Sequence, residues 1–412
     1  MLTLALSTQS LFAATIDELR ASIESGNQKI EQLTKEIENL SSQLTLTAKQ
    51  SQTLANTLKQ LDLTKKKLAA DIALTAQRIK STGSTIEELA QGIAKAEASI
   101  NTSTKIIKGN IQLIAEKESE SLLENLLKHK TISDAWDYVS TLSDVENSMR
   151  FHLADLKDER ADLSVKKDTL EGQKKNLVGY QKNLSDQKKV ADYNASETSK
   201  LLSTTKSKQA EYEKQLALKQ AQREAFEREM FDYESQLKIA IDPSSIPTER
   251  RGVLSWPVDN VYITQYFGKT SSSGRLYTSG THNGIDFRAT IGTPVKATLS
   301  GTVQATGDTD VQRGCYSYGR WVLIRHANGL SSLYGHLSVI SVRAGDSVIT
   351  GDRIGYSGNT GYSTGPHLHL TVLASQGVRV EKFANSKNCK NVVLPLADVH
   401  AYLDPSAYLP KL

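Results

Sequence analysis

Proline is absent from the first 242 residues: all eight prolines lie at or beyond Pro243, and nineteen of the twenty-five glycines follow residue 250. The residues that interrupt helices are thus scarce in one part of the chain and concentrated in the other, which excludes one uniform architecture across 412 residues. No cysteine precedes Cys315, so no disulfide can staple the first part. Beyond the N-terminal stretch, no run reaches the ~18 apolar residues that a membrane span requires. A one-sided charge is also lacking. Fifty basic side chains face forty-six acidic ones for a net charge of +4, mixed along the chain, so a nucleic-acid partner is not expected.

Residues 2–14 form a short apolar stretch that ends in small residues ahead of the first charge at Asp17. The stretch has the make-up of a secretory signal, but no Lys or Arg occurs before Arg20, so segment 1–14 reads as a signal cut short at its basic end. Export to the periplasm or the outer cell wall is the expectation. Cys315 and Cys389 fit it, because an even pair in an exported chain predicts one disulfide. Two free thiols are the alternative.

Apolar residues Ile16, Leu19, Ile23, Ile30, Leu33, Ile37, Leu40 and Leu44 are spaced 3, 4, 7, 3, 4, 3 and 4, a heptad seam. It resumes from Leu54 to Ile100, which predicts a helix of about a hundred residues, on the order of 150 Å long. A second seam runs through Leu153, Leu156, Leu163, Leu170, Leu177 and Leu184. Each seam can bury the other, so residues 15–242 are read as an antiparallel coiled-coil hairpin, with a parallel dimer of long helices as the alternative. Residues at about 118–150 are denser in apolar side chains and include Trp136, which predicts short helices at the tip. Trp136 either docks a partner or plugs the end of the hairpin. Pro243 and Pro247 stop the helical pattern, and 243–252 reads as a linker.

From Val253 onward, short apolar runs alternate with Gly, Asn, Asp and Ser turns, the pattern of an all-β domain over 253–412. Six of the eight histidines fall there. His282-Asn-Gly-Ile-Asp286 places a turn signal between two ligand-type residues, at a loop entering a strand. His367-Leu-His369 leads into an apolar strand, where residues two apart project from one face. A hydrolytic zinc typically takes three His or carboxylate ligands and leaves one position for water. Two His and one Asp meet that need and leave two His to move protons near neutral pH. His326 and His400 sit at a strand end and near the tail and are read as structural.

Three segments carry a family resemblance: Gly280-Thr-His282-Asn-Gly-Ile-Asp286, Leu333-Tyr-Gly-His336-Leu-Ser338, and Gly358 through His369 with its Ser-Thr-Gly-Pro-His-Leu-His ending. Together, and in this order, they resemble the lysostaphin-type (LytM-type) zinc endopeptidases. The resemblance implies a duplicated, barrel-sandwich-like β-domain that cleaves peptide bonds of peptidoglycan. It implies one Zn2+ per chain held by His282, Asp286 and His369, with His336 and His367 in catalysis; which of the two is the base stays open. A coiled coil ahead of such a domain also resembles the EnvC-type proteins of cell division, some of which only activate other murein hydrolases. That resemblance implies control by an ABC-type membrane complex through the helical arm, with Trp136 as candidate contact. The intact ligand set favours an enzyme over a non-catalytic activator or scaffold.

Overall fold

A computed structural model describes residues 16–48, 53–118, 131–234, 246, 248–268, 282–315, 317–384, 386 and 388–412. The expected signal segment 1–14, residues 119–130 of the expected tip, Gly280, Thr281 and both prolines of the expected linker, Pro243 and Pro247, lie outside the described residues. The chain divides into two compact units: one of residues 1–32 and 74–183, the other of 33–73 and 184–412.

Helices α1 (Ile16–Ala48), α2 (Leu54–Glu118), α3 (Ile132–Thr205) and α4 (Gln209–Glu234) form the N-terminal part. In the first unit, α2 and α3 pack as the expected hairpin. Ile100, Ile107 and Leu156 form a buried seam flanked by a Lys167–Glu97 ion pair of 2.7 Å and a Ser99–Glu159 hydrogen bond of 3.2 Å. Such exposed pairs are worth ~0–1 kcal/mol each, so the apolar seam carries the packing.

The single hundred-residue helix expected from Ile16 onward is instead two helices, α1 and α2. Arg20 bonds Glu88 at 2.8 Å and Gly26 lies against Gln77 and Ser81, so α1 runs antiparallel to α2. The local cue was Thr53, whose hydroxyl accepts from the Asn56 N–H at 3.2 Å and caps the start of α2. At the expected tip, residues 132–150 are the opening turns of the continuous α3, not separate short helices. No proline interrupts Ile132–Thr205, and Gly172 and Gly179 are tolerated with open space around them. Trp136 is 73% exposed there and does not plug a core.

In the second unit, the expected continuation of helix from residue 185 onward is broken between α3 and α4. Lys206 (φ 48°) and Ser207 (φ 58°) take left-handed backbone conformations that sequence spacing does not reveal. Tertiary contacts hold the break. Gln209 Oε1 accepts the orphan Leu54 N–H at 2.8 Å, and the Thr57 and Tyr212 hydroxyls bond at 3.0 Å.

The β-domain is built on one extended antiparallel sheet in the order β1 (Ile263–Gln265), β2 (Ile285–Arg288), β9 (His367–Ala374), β6 (Leu330–Ile340), β5 (Arg320–His326), β4 (Gly301–Asp308) and β7 (Ser347–Val348). β8 (Arg353–Ser357) pairs with both β6 and β3 (Pro294–Lys296), and β12 (Tyr402–Leu403) pairs with β9. A separate ladder joins β10 (Val378–Lys382) to β11 (Val393–Ala397). One core gathers Phe287, Val322, Ile324, Tyr334, Leu368 and Leu370 under the sheet, and a second gathers Trp321, Leu323, Phe383 and Leu394 around the bonded pair Cys315–Cys389.

Within the same unit, the base of the helical arm is packed on this domain. Leu61, Leu68 and Val190 form a cluster with Ile291, Val339 and Tyr356. Gly292, with φ of 86°, is required there twice over, because a Cβ would stand 2.9 Å from Val190 and 3.0 Å from Leu68. Ser341 donates to Asp186 at 2.7 Å, and the Arg320 guanidinium lies over the Tyr193 ring. At the other end of α4, the buried Glu234 carboxylate oxygen accepts from the Ala397 N–H at 3.1 Å and the Tyr402 hydroxyl at 2.8 Å.

Candidate metal centre

The centre is assembled by the β2–β9 ladder. In its register Asp286 lies directly opposite His369 and Arg288 opposite His367, so two strands bring the residues of distant motifs to one face. His282 precedes them on an isolated bridge to Gly268, and the chain then turns at Asn283-Gly284 into β2. Gly284 is needed where it passes over the site, since a Cβ would stand 2.4 Å from the Leu370 carbonyl and 2.8 Å from the His369 ring.

Nε2 of His282, Nδ1 of His369 and Oδ1 of Asp286 form a tight triangle. The sides are 3.2 Å between the two nitrogens, 2.7 Å from His369 to Asp286 and 3.3 Å from His282 to Asp286. All three residues are buried. The outer nitrogens fix the tautomers. His282 Nδ1–H donates to the Tyr266 carbonyl at 3.0 Å, and His369 Nε2–H donates to the Thr371 hydroxyl at 2.8 Å. Two imidazole lone pairs and a carboxylate oxygen therefore converge on one point, an arrangement that repels itself unless a cation sits between them. Ligand atoms about 2.0–2.2 Å from a tetrahedral metal lie ~3.3–3.6 Å apart, so two sides of the triangle nearly fit such an ion and the 2.7 Å side has to open to admit it.

The electrostatics agree with this donor set. Burial alone would push the Asp286 carboxyl up, but the histidines packed around it outweigh that and hold it well below its usual range, so it stands ready as an anionic ligand. Burial lowers His369 to about 4, which keeps its ring neutral and able to ligate.

His336 and His367 flank the triangle, with ring centroids 4.6 Å apart. His336 is buried, and its φ of 59° places it in the left-handed region at a bulge in β6. Its backbone N–H donates to the Tyr318 carbonyl at 2.7 Å and its Nδ1–H to the Thr360 carbonyl at 2.9 Å, leaving Nε2 without a partner among the described residues. Burial, followed by the nearby His367 and His369 rings, holds His336 well below the usual imidazole range. His367 Nδ1–H donates to the Gly365 carbonyl at 2.8 Å, and its Nε2 lies 3.7 Å from Asp286 Oδ2.

The remaining residues singled out in the sequence lie elsewhere. His326 is a buried strand-end residue between the Ser300 carbonyl and the Ser332 hydroxyl, and His400 pairs with Asp398. Trp136 belongs to the first unit. Cys315, ahead of β5, is bonded to Cys389 in the β10–β11 connection.

Several supporting residues were not singled out in the sequence. Thr371 was legible, because it continues the His367, His369 face two residues on. Tyr318 was not: its ring lies 6.0 Å from that of His369 and its hydroxyl accepts from Asn283, across a sequence separation of 35. Nor were the arm residues over the site. A cavity of about 430 Å³ is lined by Asp286 and His367 together with Gln60 of α2, Glu197 and Lys200 of α3, and Lys219 of α4. Burial pushes the Lys219 ammonium down, and the Tyr193 hydroxyl reaches the backbone of Asn359 in the loop that leads to His367.

Residues 280–382 match Peptidase family M23. Among similar proteins, the DD-carboxypeptidase/endopeptidase Mpg of Neisseria meningitidis serogroup B is 48% identical over 94 residues, 23% of this chain and 20% of that protein. The peptidoglycan DD-endopeptidase ShyA of Vibrio cholerae serotype O1 is 46% identical over 92 residues, 22% of this chain and 20% of that protein. The chain thus spans about a fifth of the length of these curated relatives. The solved catalytic domain of the antimicrobial peptidase lysostaphin from Staphylococcus simulans is 30% identical, with 35% of this chain and 90% of that one covered at a TM-score of 0.26. The C-terminal part of this chain is a domain of peptidase family M23 with its His282, Asp286 and His369 site intact, preceded by a long helical region.

Proposed function

We propose that the protein is a zinc-dependent endopeptidase that hydrolyses peptide bonds of peptidoglycan and is held closed by its own helical arm. The observation that carries the activity is the joint geometry of two groups. Three converging donors suit one Zn2+, and beside them stand two imidazoles whose Nδ1–H groups are already committed to backbone carbonyls. The relatives named for DD-endopeptidase activity support the substrate class.

Bound zinc would acidify a water and polarise the scissile carbonyl. The chain's own residues do the rest. His336, neutral and with Nε2 free, takes the proton of the attacking water and returns it to the leaving amine. His367, with an acceptor beside each ring nitrogen, is the donor that faces the carbonyl oxygen as it gains charge. Thr371 orients His369 and the Tyr266 carbonyl orients His282.

Side chains of all three arm helices share the cavity that Asp286 and His367 line, which supports restraint of substrate access by the arm. The exposed Trp136 and Phe151 on α3 are the proposed contact for a membrane complex that opens the arm. The disulfide supports an exported location. The full chain, loaded with zinc and freed at the arm by a substitution at the α3 contact, should release soluble peptides from purified peptidoglycan, whereas His282→Ala in the same background should not. Failure of the freed chain to release any peptide would favour the activator role instead.

A further inference from the structure

We propose that Arg288 is a specificity-determining residue, binding a free carboxylate of the substrate peptide within one residue of the bond that is cut. The inference rests on the endopeptidase reading and names the chemistry of its substrate. Arg288 and Asp286 are two apart on β2, so both project from the face that carries the metal ligands. Across the ladder Arg288 pairs with His367, and opposed residues in such a ladder are ~4.5–5.5 Å apart at Cα. The guanidinium is held flat: it stacks 3.7 Å from the centroid of the Tyr262 ring, and the Arg288 N–H donates to the Tyr262 carbonyl at 2.9 Å. A side chain fixed in this way is already ordered before a ligand arrives.

Its Nη1 is shut off from solvent and has no hydrogen-bond partner among the described residues. A buried guanidinium nitrogen left unpaired is costly, and such atoms in native structures ordinarily mark a missing partner. Arg288 lines the cavity that holds Asp286 and His367. That cavity has no carboxylate to spare: Asp286 belongs to the metal triangle, and Glu197 lies 4.0 Å from Lys200. With Lys200 and Lys219 also on its wall, the cavity carries surplus positive charge. A planar fork beside an amide-cleaving centre suits a carboxylate that sits on the residue next to the scissile amide.

The test uses the full-length, zinc-loaded chain, carrying Val190→Asp throughout so that the arm is free, and two short wall peptides that differ only in whether the carboxylate beside the scissile amide is free or amidated. The wild type is expected to favour the free acid by about 10- to 100-fold in kcat/KM, the worth of a charge-assisted pair. Arg288→Gln should collapse that ratio to about one and Arg288→Lys should restore part of it, with unchanged circular dichroism and zinc content. Equal cleavage of both peptides by the wild type, or an equal loss on both in Arg288→Gln, would overturn the assignment and leave Arg288 as packing for Tyr262. Should the wild type cut neither peptide, the endopeptidase reading fails separately. Calorimetric binding of the same pair then decides the matter, and a Kd ratio unmoved by Arg288→Gln overturns the proposal.

Discussion

His282 Nε2 and His369 Nδ1 face each other at 3.2 Å with their protons on the far side of each ring, one given to the Tyr266 carbonyl and one to Thr371. Two lone pairs at that separation, with Asp286 beside them, are stable only around a cation. Stripping the ion with a chelator should therefore abolish hydrolysis and lower the melting temperature, and added Zn2+ should restore both. Thr371→Val, which removes only the outer support of His369, should weaken zinc binding about 10- to 100-fold in a chelator competition. Unchanged affinity would show that Thr371 does not orient the ligand.

His336 is committed to Thr360 through Nδ1 and holds no ligand position in the triangle. Replacing it with Ala should cut kcat about 100-fold or more while zinc per chain, measured by elemental analysis, stays at one. Loss of zinc together with activity would contradict the role assigned to it.

Val190 is fully buried against the β-domain, next to Gly292 and near the Asp186–Ser341 bond. Val190→Asp places an unpaired charge in that contact, at a cost of several kcal/mol, and should loosen the arm from the site. The expected readout is a several-fold higher rate of peptidoglycan release per molecule than the wild type. Equal rates would remove the case for occlusion.

Glu234 ties the end of α4 to β11 and β12, and burial pushes its carboxyl up to about 8, against the bonds from Tyr402 and Ala397 that favour the charged form. Since the pKa is raised in the packed state, that state holds the extra proton. Its stability is fullest below the ordinary carboxyl value of 4.5 and declines as pH rises toward about 8, at ~1.4 kcal/mol per unit. Differential scanning at pH 5, 6, 7 and 8 should show the melting temperature falling in the wild type but much less in Glu234→Gln, which keeps the acceptor oxygen. Parallel slopes would place the pH sensitivity elsewhere.

The division of the chain and the chemistry of its centre were legible in the sequence for a local reason. Proline and glycine placement, heptad spacing and the two-residue period of His367 and His369 depend only on backbone geometry, so they mark helix, strand and a shared ligand face without knowledge of any neighbour. The same local rules missed the reversal between α1 and α2, where Thr53 was the only mark, and the break at Lys206 and Ser207, where Gln209 and Tyr212 meet residues about 155 positions away.

Sequence by itself therefore determined a helical part, an all-β part and the identity of the five ligand-type side chains. Only the tertiary structure decided that His282 and His369 turn opposite ring nitrogens inward, that Arg288 lies flat on Tyr262 with a nitrogen unpaired among the described residues, and that Lys219 shares the cavity of Asp286 and His367. Tautomer, desolvation and access are set by what packs from distant segments, and no spacing rule along the chain encodes them.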